Sequence, residues 1–380
     1  MKQSTKECRG FTVTTEKIVK FTRTTVYLTC IWSPLPSAKQ QYIICYNIFL
    51  YVSIFLAFAL LFSLIASVVK FVHDAFIVLK SVILIIGICN YLFKVIAVTI
   101  HQKTLQRFEL SFGEFLKTAS DIEREHLQLN VNKCWKFQAF MTSSYYLTTA
   151  GVLIGPLILP QKFPTDAVYP FPVEHPIVKC LVYLHQCIVG FQCSAGMALD
   201  CQIALFLWYL GARYEVLARK SRNVINTEDI RNFVKYHQNL LDYAKEITNP
   251  IKAITFITVV MSRIGMILGA LMLVSDQPVI AKVQFLIVVI STTANIFVCV
   301  RAADYLITVS SRLLSEKIFE TCCYQSPRLR NEWRFIILRS QKPIVIKITG
   351  VFDSLSYEFY STFLSTAFSY FTALRVIVNT

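Results

Sequence analysis

Four hydroxyl side chains, Ser361, Ser365, Ser369 and Thr372, recur at spacings of four, four and three residues near the end of the chain, with Thr362 and Thr366 beside them. On a helix of 3.6 residues per turn these share one face. Past them the same face turns small and then apolar, through Ala373, Val376 and Ile377. A hydroxyl stripe ending in an apolar ring can conduct water and ions, and close by dewetting, if several copies surround one axis. The same stripe can instead pack helix against helix by close approach and hydrogen bonds. The residue types leave both readings open.

Other chemistry has little to stand on. The six histidines are scattered, without metal or triad spacing, and no glycine-rich phosphate loop occurs. Cys322 and Cys323 are adjacent but lack a second pair at zinc-ligand spacing. Of 12 cysteines, Cys180 alone falls clearly in an outer segment, with Cys187 a remote partner for it. Neither enzyme activity nor a metal or other cofactor is expected.

The stripe must be carried by a membrane fold. The chain has 380 residues, 55% hydrophobic and 16% charged, with mean hydropathy +0.52; soluble domains carry about 25% charge. Seven blocks are long enough to span about 30 Å of hydrocarbon: 42–69, 76–100, 137–159, 181–210, 253–274, 279–300 and 357–377. The expected architecture is therefore all-α with seven transmembrane helices. Residues 1–41 form a polar, basic N-terminal segment without the short apolar core of a removed signal peptide.

Charge sets the orientation. Thirty of the 38 Lys and Arg lie in residues 1–41 and in the segments after spans two, four and six; five lie in the alternate segments or at the span ends that border them, Lys70, Lys162, Lys179, Lys282 and Arg375. Positive charge stays inside, which places the N-terminus in the cytoplasm and the C-terminus outside. The net charge of +15 then faces anionic lipid and requires no nucleic acid. G-protein-coupled receptors have the opposite orientation. Asn249-Pro250-Ile251-Lys252-Ala253 also lacks the tyrosine of their NPxxY signature.

The connecting segments differ by side. Residues 156–180 hold Pro156, Pro160, Pro164, Pro170, Pro172 and Pro176, which excludes a regular helix there. With Phe163, Tyr169 and Phe171 the segment reads as an aromatic lid over the outer bundle; a stiff exposed linker is the alternative. Inside, Ile230, Phe233, Val234, His237, Leu240, Leu241, Ala244 and Ile247 recur at helical spacing. Asn226 or Thr227 caps this helix and Asn249-Pro250 closes it. Leu306, Val309, Leu313 and Phe319 give a looser stripe. Such amphipathic helices either pack beneath the membrane, within and between subunits, or lie on its surface. Gly350 and Asp353-Ser354 separate the cytosolic helices of 301–349 from the last unit, 350–380, whose helix Ser356 can cap. Arg263, in the middle of the fifth span, is expected to pair inside the bundle or to face a cavity.

The stretch "LSYEFYSTFLSTAFSYFTALRV", with "RSQKPIVIKITGVFDSLS" before it, resembles the C-terminal signature of insect odorant receptors, where Ser-Tyr-(Phe/Ser)-x-x-Leu closes the chain. "YLHQCIVGFQCSAGMALDCQIALFLWYLGARYEVLARKSR" is similar to their fourth span and its cytosolic continuation, and "YHQNLLDYAKEI" to the helix that follows. The gustatory branch ends in Thr-Tyr-x5-Gln-Phe, from which Ser369-Tyr370 and its sequel depart. The long cytosolic insertion of the olfactory co-receptor is also lacking.

The resemblance implies a tuning subunit of a ligand-gated, non-selective cation channel. It would assemble with the co-receptor into a tetramer in the plasma membrane of olfactory neuron dendrites, the cytosolic helices forming an inter-subunit anchor. Seventh helices would line the pore through Thr362, Thr366 and Ser369, with the gate at Ala373, Val376 and Ile377. Ala373 stands where the family often has a larger aliphatic, and Arg375 is unusual. A volatile odorant would bind in the outer half of spans one to six (42–300), among spans two, three, four and six. That region holds Ile83, Gly87, Tyr145, Tyr146, Thr149, Gly190, Phe191, Ser194 and Phe285. The alternatives are a metabotropic seven-span receptor and a gustatory receptor of the same superfamily.

Overall fold

The computed structural model describes residues 14–27, 32, 34–36, 38–158, 161–275 and 279–379; the side chains of 27, 122, 126, 157, 158, 280, 281 and 376–379 are outside the description. The described chain is almost wholly helical. A short amphipathic helix, α1 (Thr15–Tyr27), precedes α2 (Gln40–Lys70), α3 (Ala75–Ile100) and α4 (Gln102–Thr118). Then come α5 (Asp121–Ile158), α6 (Pro176–Lys220), α7 (Thr227–Val274) and α8 (Val279–Thr308). Two short helices, α9 (Leu314–Cys323) and α10 (Pro327–Ser340), lead to α11 (Tyr357–Asn379). Among the described residues five helices are long and apolar enough to cross a membrane: α2, α3, α6, α7 and α8. The other two segments read as spans fall in α5 and α11, of 38 and 23 residues.

The bundle is organised around α6. Its apolar stretch is 89% buried, as expected of a helix that is hydrophobic all round. Small residues let neighbours approach: a Cβ on Gly196 would meet Cα of Tyr91 at 3.3 Å. Gly211 is more demanding. A Cβ there would collide with Cε1 of Tyr305, whose ring stacks on Trp208 at 4.3 Å and whose hydroxyl accepts from Asn130 at 2.7 Å. The ring is held on both sides and cannot swing away. Gly211→Ala is therefore expected to cost about 1–3 kcal/mol by overpacking, read as a lower melting temperature of the purified protein; an unchanged melting curve would contradict it.

Three sequence expectations need correction. Asn249-Pro250 does not close the helix that begins at Thr227: α7 runs unbroken for 48 residues with Pro250 inside it. Proline removes one backbone hydrogen bond, but Ile247, Pro250, Ile251 and Ile254 are all buried against the bundle, and that packing holds the helix together. Likewise Pro156 lies within α5 and Pro176 starts α6, so helix occupies both ends of the proline-rich segment. Pro176 sits at a first-turn position, where a missing N–H is harmless. Finally, Phe319 is exposed rather than part of a buried stripe with Leu306 and Val309. A π-turn at Val309–Leu313 inserts one extra residue. It moves the buried face to Leu314, Ile318 and Cys322.

The amphipathic half of α7 behaves as its spacing requires, except that Val234 is exposed. Asn226 and Asp229 form a reciprocal capping box at its start. His237 is buried there; burial first, then Arg339, pushes its pKa down to about 4, so it is neutral near pH 7. Between α10 and α11 the chain makes a tight elbow. Gly350 has φ +85°, Ile348 and Phe352 exchange backbone hydrogen bonds of 3.0 Å, and Lys347 pairs with Asp353 at 2.7 Å. Ser356 caps α11 through Phe359 N–H.

Candidate functional site

A cavity of about 230 Å3 lies between α3, α5, α6, α7 and α8, towards the end of the bundle where α5 meets the segment leading to α6, with Leu60 and Leu64 of α2 closing one side. Local geometry explains the opening. A Cβ on Gly87 would meet nothing within 4 Å, so its missing side chain leaves space. Gly190, by contrast, sits where α6 approaches α5, its virtual Cβ 3.0 Å from the Thr149 methyl group.

The segment 161–175 folds back over this end. Val168 N–H donates to Ser63 O at 3.0 Å, Thr165 N–H to Gln186 Oε1 at 3.0 Å, and Lys80 pairs with Asp166 at 2.8 Å. Pro164 and Thr165 thereby reach the cavity wall. Tyr169 is partly buried on His185 and Gln186, whereas Phe171 is exposed. Beyond them Phe55, Phe62, Phe171 and Leu181 border a wider apolar groove on the outside of the bundle.

Of the nine residues expected around a ligand, Ile83, Gly87, Tyr145, Thr149, Gly190 and Ser194 line the cavity. Tyr146 and Phe191 do not. Each sits one residue, or about 100°, beyond a lining position. Their rings instead stack together at 6.2 Å, and the Tyr146 hydroxyl donates to Thr25 O at 2.6 Å, fastening α1 to the bundle. Phe285 is also off the wall, packing beside it with Ile83 and Met272. The sequence reading left out α2 and the fifth span, yet Met261, Ser262 and Gly265 of α7 line the cavity.

Beneath the cavity lies a polar core that the sequence reading missed. Lys94 and Asp200 are wholly buried and pair at 2.6 Å; Lys94 also donates to Gly196 O at 2.8 Å. Thr258 donates to the second carboxylate oxygen at 2.8 Å, and Asn295 donates to the first. The amide oxygen of Asn295 accepts from Tyr145 at 2.7 Å, so a residue on the cavity wall is tied to the ion pair. Thr149 and Ser194 pair at 2.6 Å across the α5–α6 contact.

The closing helix, α11, packs on α7 and α8 through one face. Phe363 and Ala367 are buried, Arg263 of α7 sits over the Phe363 ring at 5.0 Å, and the Tyr360 hydroxyl donates to Thr293 O at 3.4 Å. On the opposite face Ser361, Thr362, Ser365, Ser369, Thr372 and Ala373 are exposed and Thr366 is partly so. Thr362, Thr366, Ser369 and Thr372 donate to carbonyls of their own helix. The side chains of Val376 and Ile377 lie outside the described residues.

The chain matches the family model of the 7tm Odorant receptor over residues 75–368. It is 24% identical over 267 residues to Odorant receptor 13a of Drosophila melanogaster, a match covering 61% of this chain and 62% of that protein's length, less than two thirds of it. The fold is similar to that of the insect olfactory receptor OR5 from Machilis hrabei in complex with eugenol. The TM-score is 0.77 at 12% identity, covering 95% of this chain and 98% of that one. A second structure of the same receptor gives 0.73, covering 94% and 97%. The family match takes in the polar core, the cavity apart from its α2 side and the first half of α11, and it exceeds half of the sequence: this chain belongs to the odorant receptor family, whose members are multi-pass membrane receptors.

Proposed function

We propose that this chain is an odorant-sensing subunit of a ligand-gated, non-selective cation channel in the plasma membrane, acting in the sensory perception of smell. Seven helices cross the bilayer in this reading: α2, α3, α5, α6, α7, α8 and α11, with the N-terminus cytoplasmic and the C-terminus outside. The chain joins the olfactory co-receptor in a tetramer through its cytosolic helices, and its α11 contributes to a central pore. Neither alternative, a metabotropic seven-span receptor or a gustatory receptor, is favoured by the family match.

One observation carries the mechanism: the same turns of α7 and α8 face the cavity on one side and α11 on the other. Met261, Ser262 and Gly265 line the cavity while Arg263 contacts Phe363 of α11. Ser291 and Thr292 line it while Thr293 and Phe297 contact Tyr360. A mostly apolar cavity with a few polar groups suits a small volatile molecule. A ligand that binds better when these turns are displaced shifts the population toward an open arrangement; equal affinity for both states would open nothing.

The test is to record currents from cells expressing the chain with and without the co-receptor while a panel of volatiles is applied. Cation currents that require an odorant and reverse near zero voltage are expected with the co-receptor present. A surface-expressed assembly that passes no current for any volatile would contradict the reading.

A further inference from the structure

Resting on the reading of the cavity as an odorant site, we infer that it is built for a compact aliphatic alcohol, whose hydroxyl donates a hydrogen bond to Oδ1 of Asn90.

Three observations combine. First, among the described lining residues Tyr145 brings the only aromatic ring, while leucine, isoleucine, valine and methionine supply twelve of the other 26, interleaved with small and hydroxyl side chains. Such a wall suits a flexible aliphatic body rather than a stacked ring. Second, at interior packing density a cavity of about 230 Å3 holds roughly ten non-hydrogen atoms. Third, Asn90 lines the cavity, is 6% exposed, and its Oδ1 has no hydrogen-bond partner.

The polarity of that vacancy is set by the neighbour. Nδ2 of Asn90 faces Met197 Sδ at 3.6 Å. A thioether can only accept, so the amide nitrogen belongs on that side and the carbonyl oxygen on the other. A carbonyl oxygen accepts and never donates, hence the ligand must supply the proton. The other polar groups near it impose no such demand. Tyr145 already donates to Asn295, and Thr149 is paired with Ser194. Thr165 Oγ1 is also unpartnered, but a hydroxyl can donate or accept and does not discriminate.

An aldehyde, ketone, ester or alkane of equal size brings no donor. It leaves the buried amide oxygen of Asn90 unpaired, whereas the alcohol satisfies it, so its affinity is lower than the alcohol's. Among the described lining residues a carboxylate finds no Lys or Arg, and Lys94 below is matched by Asp200.

The experiment compares 1-octanol, octanal and nonane, equal in non-hydrogen atoms, on cells expressing the full chain with the co-receptor. With the wild-type chain, 1-octanol should act at roughly tenfold lower concentration, or better, than either of the others. Asn90→Leu, matched for surface level, should bring the three within about threefold of one another. Asn90→Ala repeats the test should the leucine variant not reach the surface. The inference is overturned if octanal or nonane equals 1-octanol on the wild-type chain, or if either variant keeps the alcohol preference. Currents evoked by other volatiles while alcohols stay silent would overturn this inference alone. No response to any volatile would overturn it together with the channel reading.

Discussion

Replacing Lys94 by methionine is expected to cost this protein most of its folded, surface-exposed population. Lys94 and Asp200 are both fully buried, and Asp200 gathers Lys94, Thr258 and Asn295 around its two oxygens. Removing the cation leaves a carboxylate without a counter-charge in a helix core, a loss of about 3–5 kcal/mol where such pairs have been broken from one side. Two neutral donors remain, which solvate the anion but do not balance it. Surface labelling should fall about tenfold or more, and the solubilised protein should melt at a lower temperature. The double variant Lys94→Met/Asp200→Leu should recover much of the loss, since exchanging a whole buried pair for apolar residues is often neutral or favourable. Wild-type levels for the single variant, or a double variant worse than the single, would show that the pair does not hold the bundle. A recovered double variant would also reveal what Tyr145 gains from the network, because its Asn295 partner would have lost the carboxylate it donates to.

How the sequence disclosed some of this and hid the rest follows from the range of each interaction. Local signals were legible: the Asn226 cap, the buried stripe from Ile230 to Ile247, the Gly350 elbow and the Ser356 cap all depend on neighbours within a few residues. So was the face of α11, because one helical period places Phe363 and Ala367 opposite Ser369. Positions whose fate depends on a distant helix were harder. Nothing near Pro250 says that α7 continues; the packing of Ile251 and Ile254 on other helices decides it. Tyr146 and Phe191 are as plausible as Tyr145 by composition, and only the rotation of α5 and α6 against each other turns them from the cavity toward α1. The ion pair did leave a trace. Lys94 and Asp200 are a base and an acid in the middle of two apolar spans, and each would be costly there alone. Pairing them required knowing that α3 and α6 touch. The π-turn at Val309–Leu313 left no comparable mark, yet it alone redirects the face after α8.

The second large effect concerns α11. At 100° per residue, Thr362, Ser369 and Ala373 cluster on one side while Tyr360, Phe363 and Ala367 cluster on the other, against α7 and α8. The hydroxyl side therefore faces away from its own subunit, free to meet an axis shared with other subunits. If that axis is aqueous when the channel opens, a group placed at Ser369 changes conduction without touching the cavity. Leu374 is the control, since it lies about 140° away toward the packed side.

The most direct measurement is thus to place a cysteine at Ser369, and separately at Leu374, and apply a charged, water-soluble thiol reagent during odorant-evoked current. The account predicts that Ser369→Cys channels are blocked irreversibly by at least about half, only when reagent and odorant are given together, with odorant rank order unchanged, while wild-type and Leu374→Cys channels are spared. A Ser369→Cys channel that conducts normally after full exposure in the open state, with modification at Leu374 instead, would contradict it.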